Sequence, residues 1–404
     1  MDVAAKELLK IDKSNWTPIN FGDVVFEPKE NAKDIYNEDI EYVVGLEHID
    51  SENIHLTRSG KLEETTTFSK KFKTGDVLFG RRRAYLKKAA LANFDGICSG
   101  DITVFRAKKN LLPELLPFIV NNEKFFDYAI KHSAGGLSPR VKFKDLANYE
   151  FLLPPKEQQD KLAELLWAMD EVIERENRLK TKLENALDTM IENEIHGVDL
   201  HGKVIREVLD VLSNDVDLVS LSILGELHKG KGIPKSDVQE AGYSCVRYGE
   251  LYTKHHRIIR EFHSFISEEI KSESFLLQKH DTLFAGSGET ITEIGKSAAF
   301  VDDIEAYAGS DTLLFRPFDM DGHYLGYLMN SQLVRQQLNK YGTGATVMHI
   351  YNSDLAKVKV PRIGRDRQIE IAKKLESMST NVFKLDSKTI SSKALQKSLI
   401  NQIF

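Results

Sequence analysis

The chain has 404 residues, 41% hydrophobic and 29% charged, with a net charge of −6, which suits a globular protein of several domains and excludes a wholly basic nucleic-acid coat. Two cysteines, Cys98 and Cys245, exclude a disulfide framework and read as buried small residues. No apolar run reaches membrane-span length and the first residues lack the apolar core of a signal peptide, so the chain is expected in the cytoplasm with no membrane partner.

In chain order, the first elements are short runs of apolar, β-branched and aromatic residues bounded by glycine or polar residues: Glu41-Tyr42-Val43-Val44, Asp76-Val77-Leu78-Phe79 and Ile102-Thr103-Val104-Phe105. They read as strands. A helical stretch follows from Pro113 to about Lys131. After Pro154-Pro155 the apolar positions Leu162, Leu165, Leu166, Met169, Val172, Ile173, Leu179, Leu183, Leu187, Met190, Ile191 and Ile195 keep mostly to three- and four-residue steps. That spacing predicts one helix of about 40 residues, roughly 60 Å long.

The same order then repeats. Asp145-Leu146-Ala147, Gln159, Leu162, Ala163, Leu166 and Met169 return 209 positions later as Asp354-Leu355-Ala356, Gln368, Ile371, Ala372, Leu375 and Met378. Asn121 and Gly135 match Asn330 and Gly344 at the same offset. Upstream the offset drifts: Val104-Phe105-Arg106 pairs with Leu314-Phe315-Arg316, and Asp76, Leu78 and Phe79 with Asp281, Leu283 and Phe284. Val43 and Glu47 pair with Val246 and Glu250, and Gly22 with Gly225. The second long helix carries Ile371, Leu375, Met378, Val382, Leu385, Ala394, Leu395, Leu399 and Ile403. A helix of this length with a narrow apolar stripe needs a partner, and the duplication supplies one in the same chain. The expected fold is α+β: two similar α/β heads in tandem, each followed by a long α-helix. The two helices pair as an antiparallel coiled coil with pseudo-twofold symmetry. The boundaries read as head 1 over 1–153, a central helix over 154–197, a linker over 198–216, head 2 over 217–363 and a distal helix over 364–404.

This pattern resembles the specificity subunit of type I restriction–modification systems. The residues that carry the resemblance are Asp145-Leu146, Leu153-Pro154-Pro155, Glu157-Gln158-Gln159 and the helix to Gly197, with Asp354-Leu355 and Arg367-Gln368 in the repeat. Gly75-Asp76-Val77-Leu78-Phe79 and Asp281-Thr282-Leu283-Phe284 look like the family's strand before a DNA-facing loop, and Gly286-Ser287-Gly288-Glu289-Thr290 also fits its target-recognition domains. One departure is Pro361-Arg362-Ile363-Gly364 in place of the second Pro-Pro, which puts the angle of that junction in question. The resemblance implies a target-recognition head for each half of a bipartite DNA site. It implies a helix pair that sets their spacing and docks two modification subunits. Those partners would carry adenine methylation and bind S-adenosylmethionine, a motor-nuclease subunit would complete the complex, and this chain would hold no cofactor or metal of its own.

The candidate DNA-binding residues fall in matched loops. Between Lys70 and Lys88 lie eight basic residues against one acid, Asp76. Arg81, Arg82 and Arg83 follow Gly80 at the end of a strand, where arginine can reach phosphates or guanine edges, and Lys87 and Lys88 follow them. The equivalent loop of head 2 offers Ser287, Glu289, Thr290 and Lys296, so the two heads would read different words. A second loop pair carries Ser138, Arg140 and Lys142 in head 1, and Thr343, Thr346 and His349 in head 2, with Arg140 and His349 at the same repeat position. Its glycines permit unusual φ angles. Lys229, Lys231, Lys235, Arg247, Lys254, Arg257 and Arg260 could add phosphate contacts. His255-His256 has no third ligand at suitable spacing and suits a surface or phosphate role.

Phe284-Ala285-Gly286-Ser287-Gly288 faintly resembles a methyltransferase cofactor loop. An Asn/Asp-Pro-Pro-aromatic motif is absent, however, and so is a Walker motif, so the chain is read as non-catalytic. The competing reading is a coiled-coil protein-interaction scaffold with no sequence-specific DNA role.

Overall fold

The computed structural model describes residues 11–35, 40–62, 67–196, 217–290, 292–344 and 347–404. The expected linker over 198–216 and the candidate Thr346 lie outside them. Two compact units form, and neither is a simple half of the sequence. The first joins residues 1–177 to 387–404, and the second is 178–386.

In the first unit the strands are β1 (Thr17–Asn20), β2 (Val25–Phe26), β3 (Tyr42–Val44), β4 (Gly60–Lys61), β5 (Lys70–Phe72), β6 (Val77–Gly80), β7 (Ala89–Leu91), β8 (Gly96–Cys98), β9 (Ile102–Ala107) and β10 (Glu150–Leu153). The helices include α1 (Leu116–Val120), α2 (Glu123–Lys131), α3 (Phe143–Leu146) and the start of α4 (Lys156–His196). One sheet runs β2-β9-β6-β7 and a second β4-β3-β8-β5, while β1 pairs with β10. Alternate residues of β6 and β9 face opposite ways. Val77, Phe79 and Phe105 join the core under the helices, with Phe118, Phe125 and Leu166. Leu78 and Val104 join a second core against Val44, Phe72 and Cys98 of the other sheet. The head is therefore three layers deep, helices on sheet on sheet. A central strand covered on both faces must be apolar throughout, which is why Val77-Leu78-Phe79 lacks polar alternation.

The second unit repeats this plan. Its strands are β11 (Leu218–Ser220), β12 (Gly225–Lys229), β13 (Tyr243–Val246), β14 (Arg257–Ile258), β15 (Ser264–Ile266), β16 (Phe275–Leu276), β17 (Thr282–Ala285), β18 (Ser287–Gly288), β19 (Ser297–Ala299), β20 (Ala306–Ala308), β21 (Thr312–Pro317), β22 (Met348–His349) and β23 (Lys359–Pro361). Its helices include α5 (Gly322–Leu328), α6 (Gln332–Tyr341), α7 (Asn352–Leu355) and the start of α8 (Arg365–Ile403). The sheets run β12-β21-β17-β19-β14 and β15-β13-β20-β16.

Hydrogen bonds explain the repeated polar letters. Asp76, 2% exposed, takes Nε and Nη2 of Arg106 at 2.6 and 2.7 Å, and Asp281, 0% exposed, takes the same atoms of Arg316 at 2.8 and 2.6 Å. Each fork fixes the strand that precedes the candidate loop. Gln159 Oε1 accepts from the Leu112 amide and its Nε2 donates to the Pro154 carbonyl, while Gln368 does the same with Asp321 and Ile363. The second helix start is thus tied to its head as the first is, despite the missing Pro-Pro.

Two upstream alignments are corrected. The amide of Phe21 bonds the Tyr149 carbonyl as that of Leu221 bonds Val358, and Val25 faces Ala107 as Gly225 faces Pro317. Gly225 therefore answers to Val25, and Gly22 to Ser222. Likewise Val44 matches Val246, since each accepts from the amide after a buried strand, Ser99 and Gly309. His48 then matches Glu250, each accepting a main-chain amide three residues back. Matching by letter fails there because insertions between these elements shift the offset from one to the next.

The long helices pair antiparallel within each unit. In the first, Lys388 meets Glu176 at 3.2 Å and Gln396 the Leu166 carbonyl at 3.5 Å. In the second, Glu194 binds Lys374 at 3.1 Å and Arg367 at 3.3 Å, and Lys180 binds Asp386. The sequence did not announce where the helix ends go. Leu399, Ile400, Ile403 and Phe404 of the distal helix complete the core of head 1, and Leu187, Ile191 and Ile195 of the central helix complete that of head 2. The same cap closes both joints: Asn401 Oδ1 accepts from the Glu123 amide at 2.9 Å, and Glu192 Oε1 from the Gln332 amide at 2.8 Å.

Two outcomes follow for stability. Arg316→Met strands the Asp281 carboxylate in the core and should cost about 3 kcal/mol in urea unfolding; a loss under about 1 kcal/mol would refute the role of the fork. His55 Nε2 bonds Asp170 Oδ2 at 2.8 Å, and this bond raises the His55 pKa above 6.5 against the opposing effect of burial. A raised histidine pKa stabilises fully below the ordinary value and loses its effect as pH climbs through the raised one. His55→Asn should therefore lower Tm more near pH 6 than near pH 9, and equal losses at both would contradict the assignment.

Candidate nucleic-acid interface

The two candidate loops of each head meet. In head 1 the chain leaves β6 at Gly80, and the Arg81 amide bonds the Asp101 carbonyl at 3.0 Å. Val141 donates to Arg81 at 3.0 Å and Arg83 to Pro139 at 2.8 Å, which stitches the arginine loop to the loop before α3. Head 2 uses the same stitches: Gly286 to Asp311 at 2.9 Å and Ile350 to Gly286 at 3.1 Å. The second loop is closed on itself by paired bonds between Ala134 and Arg140, and between Thr343 and His349. Its turn needs a positive φ, supplied by Gly135 (115°) and Gly344 (142°). At Gly344 a Cβ would lie 1.9 Å from the Val347 carbonyl oxygen.

On this shared frame the side chains differ. In head 1 Arg82 Nη1 lies 3.1 Å from Asp101 Oδ2 and its Nη2 3.1 Å from Ser138 Oγ. Arg140 Nε donates to Asp101 Oδ1 at 2.7 Å, and Arg83 Nη2 reaches Ser138 Oγ at 3.4 Å. Burial pushes the Asp101 carboxyl upward, but the bonds from Arg140 and Arg82 outweigh it and hold its pKa below 3.8. In head 2 the position of Arg82 is Ser287 and that of Arg140 is His349, with Ser287 Oγ and His349 Nδ1 3.0 Å apart. These two line a cleft with Lys229, Asp311, Tyr351 and Asn352.

The structure thus brings together Arg82, Arg83, Ser138 and Arg140 in one head, and Lys229, Ser287 and His349 in the other. Lys142 is exposed just before α3, and Lys231, Glu289, Thr290 and Thr343 are exposed on the loops of head 2. Other candidates are engaged elsewhere. Lys87 is bound to Glu123 at 2.5 Å and lies 3.6 Å from Glu52, Lys88 is half-buried on the Leu46 carbonyl, and Lys296 pairs with Glu293 at 2.8 Å. Arg257 binds Asp188 of the central helix, and Arg260 binds Glu376 of the distal helix at 2.6 Å, so both brace head 2 on helices. His255 is buried, 4% exposed, and burial drives its pKa down to about 4, so the expected surface role is corrected. Burial raises both thiols, Cys98 and Cys245, to about 12. Among the described residues no group of three or more His, Cys, Asp or Glu could hold a metal, and no helix is long and apolar enough to cross a membrane.

Sequence reasoning missed Asp101 and Asp311. A signal existed: they stand 210 positions apart, at the offset already seen for Val104 and Leu314. Tyr252, whose hydroxyl donates to the Ser287 carbonyl at 2.8 Å, had no such marker.

Residues 13–185 match the family described as the type I restriction modification DNA specificity domain. The chain is 23% identical over 310 residues to the type I restriction enzyme MjaVIII specificity subunit of Methanocaldococcus jannaschii, covering 70% of this chain and 71% of that one. Residues 13–185 thus carry a type I restriction–modification DNA specificity domain. Catalysis in these systems resides in partner subunits. A further relative is the type I restriction enzyme EcoDI specificity subunit of Escherichia coli, 27% identical over 165 residues, or 40% of this chain and 36% of that one. Two solved structures share the fold. One is the type I restriction–modification S subunit of M. genitalium, with TM-score 0.58, 13% identity and 98% of each chain covered. The other comes from a study of complex assembly and conformational transition in a type I system, with TM-score 0.52, 20% identity and 96% of each chain covered.

Proposed function

We propose that each head of this DNA specificity subunit reads one half of a bipartite duplex target through its stitched loop pair. The observation that carries this is the common frame with different side chains: the same main-chain bonds present Arg82, Arg83, Ser138 and Arg140 in head 1, and Ser287 and His349, beside Lys229, in head 2. A reader of two different words needs a constant scaffold with variable edges. Arg83 and Lys142, and Lys229 and Lys231, are the phosphate contacts of this reading. The helix pair sets the spacer between the words and docks two modification subunits. Leu165 and Val172, seven positions apart on the central helix, stay 42% and 48% exposed, which suits such a dock. S-adenosylmethionine belongs to those partners, and a motor-nuclease subunit completes the restricting complex. The scaffold reading gives no reason for heads whose loops share a frame and differ in hydrogen-bonding edges.

The test is methylation-site mapping in cells that carry the modification subunit with and without this chain. A bipartite adenine motif that depends on the chain is expected; an active modification subunit whose methylation ignores the chain would return us to the scaffold. In purified complex, Arg83→Ala with Lys142→Ala should weaken DNA binding evenly across sequences. The slope of log affinity against log salt should become shallower by about one per lost phosphate contact. An unchanged slope would remove these two residues from the interface.

A further inference from the structure

Arg140 and Arg82 share one carboxylate, and they use it differently. Arg140 gives only its Nε to Asp101, at 2.7 Å, and it remains exposed. Arg82 is bound at both of its terminal nitrogens, by Asp101 and by Ser138. A guanidinium held through Nε keeps Nη1 and Nη2 as a parallel pair of donors, the shape that fits O6 and N7 of guanine. Holding it in place beforehand removes the side-chain entropy that a long arginine would otherwise lose on binding. Arg82 has already committed a donor from each of its terminal nitrogens within the protein. Its place is behind Arg140, where it fixes the second oxygen of Asp101.

We propose that Arg140 reads a guanine in the word recognised by head 1, with Asp101 and Arg82 as its positioning residues. This rests on the reading that head 1 contacts DNA. In head 2 the same frame carries His349 with its Nδ1 engaged by Ser287, and a carboxylate, Asp311, faces no arginine at those two positions. The matched position of the second word therefore lacks the guanine fork. The asymmetry predicts which word responds to which variant.

The experiment is methylation-site mapping with the full chain and its modification subunits, comparing wild type with Arg140→Lys and Asp101→Asn. Lysine keeps the charge and loses the fork. Arg140→Lys should admit other bases at one G·C position of one word, lowering selectivity there about tenfold or more. Asp101→Asn should relax the same position to a smaller extent. The second word should stay intact in both, which also reports that the chain is folded. A motif unchanged in Arg140→Lys, an even loss at all sites, relaxation in both words or relaxation at an A·T position would each overturn the proposal. If Arg140→Lys methylates nothing, duplexes carrying 7-deazaguanine at that position decide. Wild-type affinity should fall about tenfold on them, and unchanged affinity overturns the assignment. A wild-type chain that brings no bipartite motif at all defeats the two-word reading and this proposal with it. A motif that appears but ignores both variants defeats only this proposal.

Discussion

Each head lacks part of its own core until the end of the other repeat's helix fills it. Ile400, Ile403 and Phe404 lie against Phe118 and Leu166 under the first sheet, and Leu187, Ile191 and Ile195 lie against Leu325 and Leu375 under the second. Burying a large aliphatic or aromatic side chain stabilises by about 1.5–3 kcal/mol, and each joint buries at least three. The helix has to run its full length to deliver them. That requirement fixes its direction, and the direction dictates the antiparallel seam marked by Lys388 with Glu176 and by Lys374 with Glu194.

Above this base the loops can vary without disturbing the fold. The forks Asp76–Arg106 and Asp281–Arg316 sit at the base of the strands that feed the candidate loops. A bidentate arginine on a carboxylate leaves one geometry for the strand end. The main-chain stitches from Arg81 and Gly286 then hold the loop backbone whatever side chains it bears. The loop chemistry is thereby separated from stability: the polar atoms that would touch DNA in the proposed reading lie outside both cores.

Much of this was legible from the residues, and the misses share a cause. The duplicated Asp-Leu-Ala, Gln and Leu positions announced two alike heads and two long helices, because burial and helix-start contacts tolerate little substitution. The repeat showed that Asp76 and Arg106 recur, but not that they touch, since a linear offset carries no distance. Lys87 and Lys88 counted as loop charge beside Arg81–Arg83; the short turn after Arg83, which itself takes φ 55°, carries them away to Glu123 and Leu46. Arg257 and Arg260 looked like free cations for the same reason, and only the fold supplied Asp188 and Glu376. Composition tells how much charge a segment has and nothing about which partner is within 4 Å.

The two joints between head and helix end are alike in shape and opposite in sign. At one, Lys397 lies 2.9 Å from Glu52 and 2.6 Å from Glu123; at the other, the equivalent place belongs to Asp188, which meets Arg257. A helix end seated on the wrong head would set Asp188 beside two glutamates, or Lys397 beside an arginine. Like charges at such range repel. Two halves that have kept one architecture are thus told apart, at these joints, by the sign of the charge that the helix end brings.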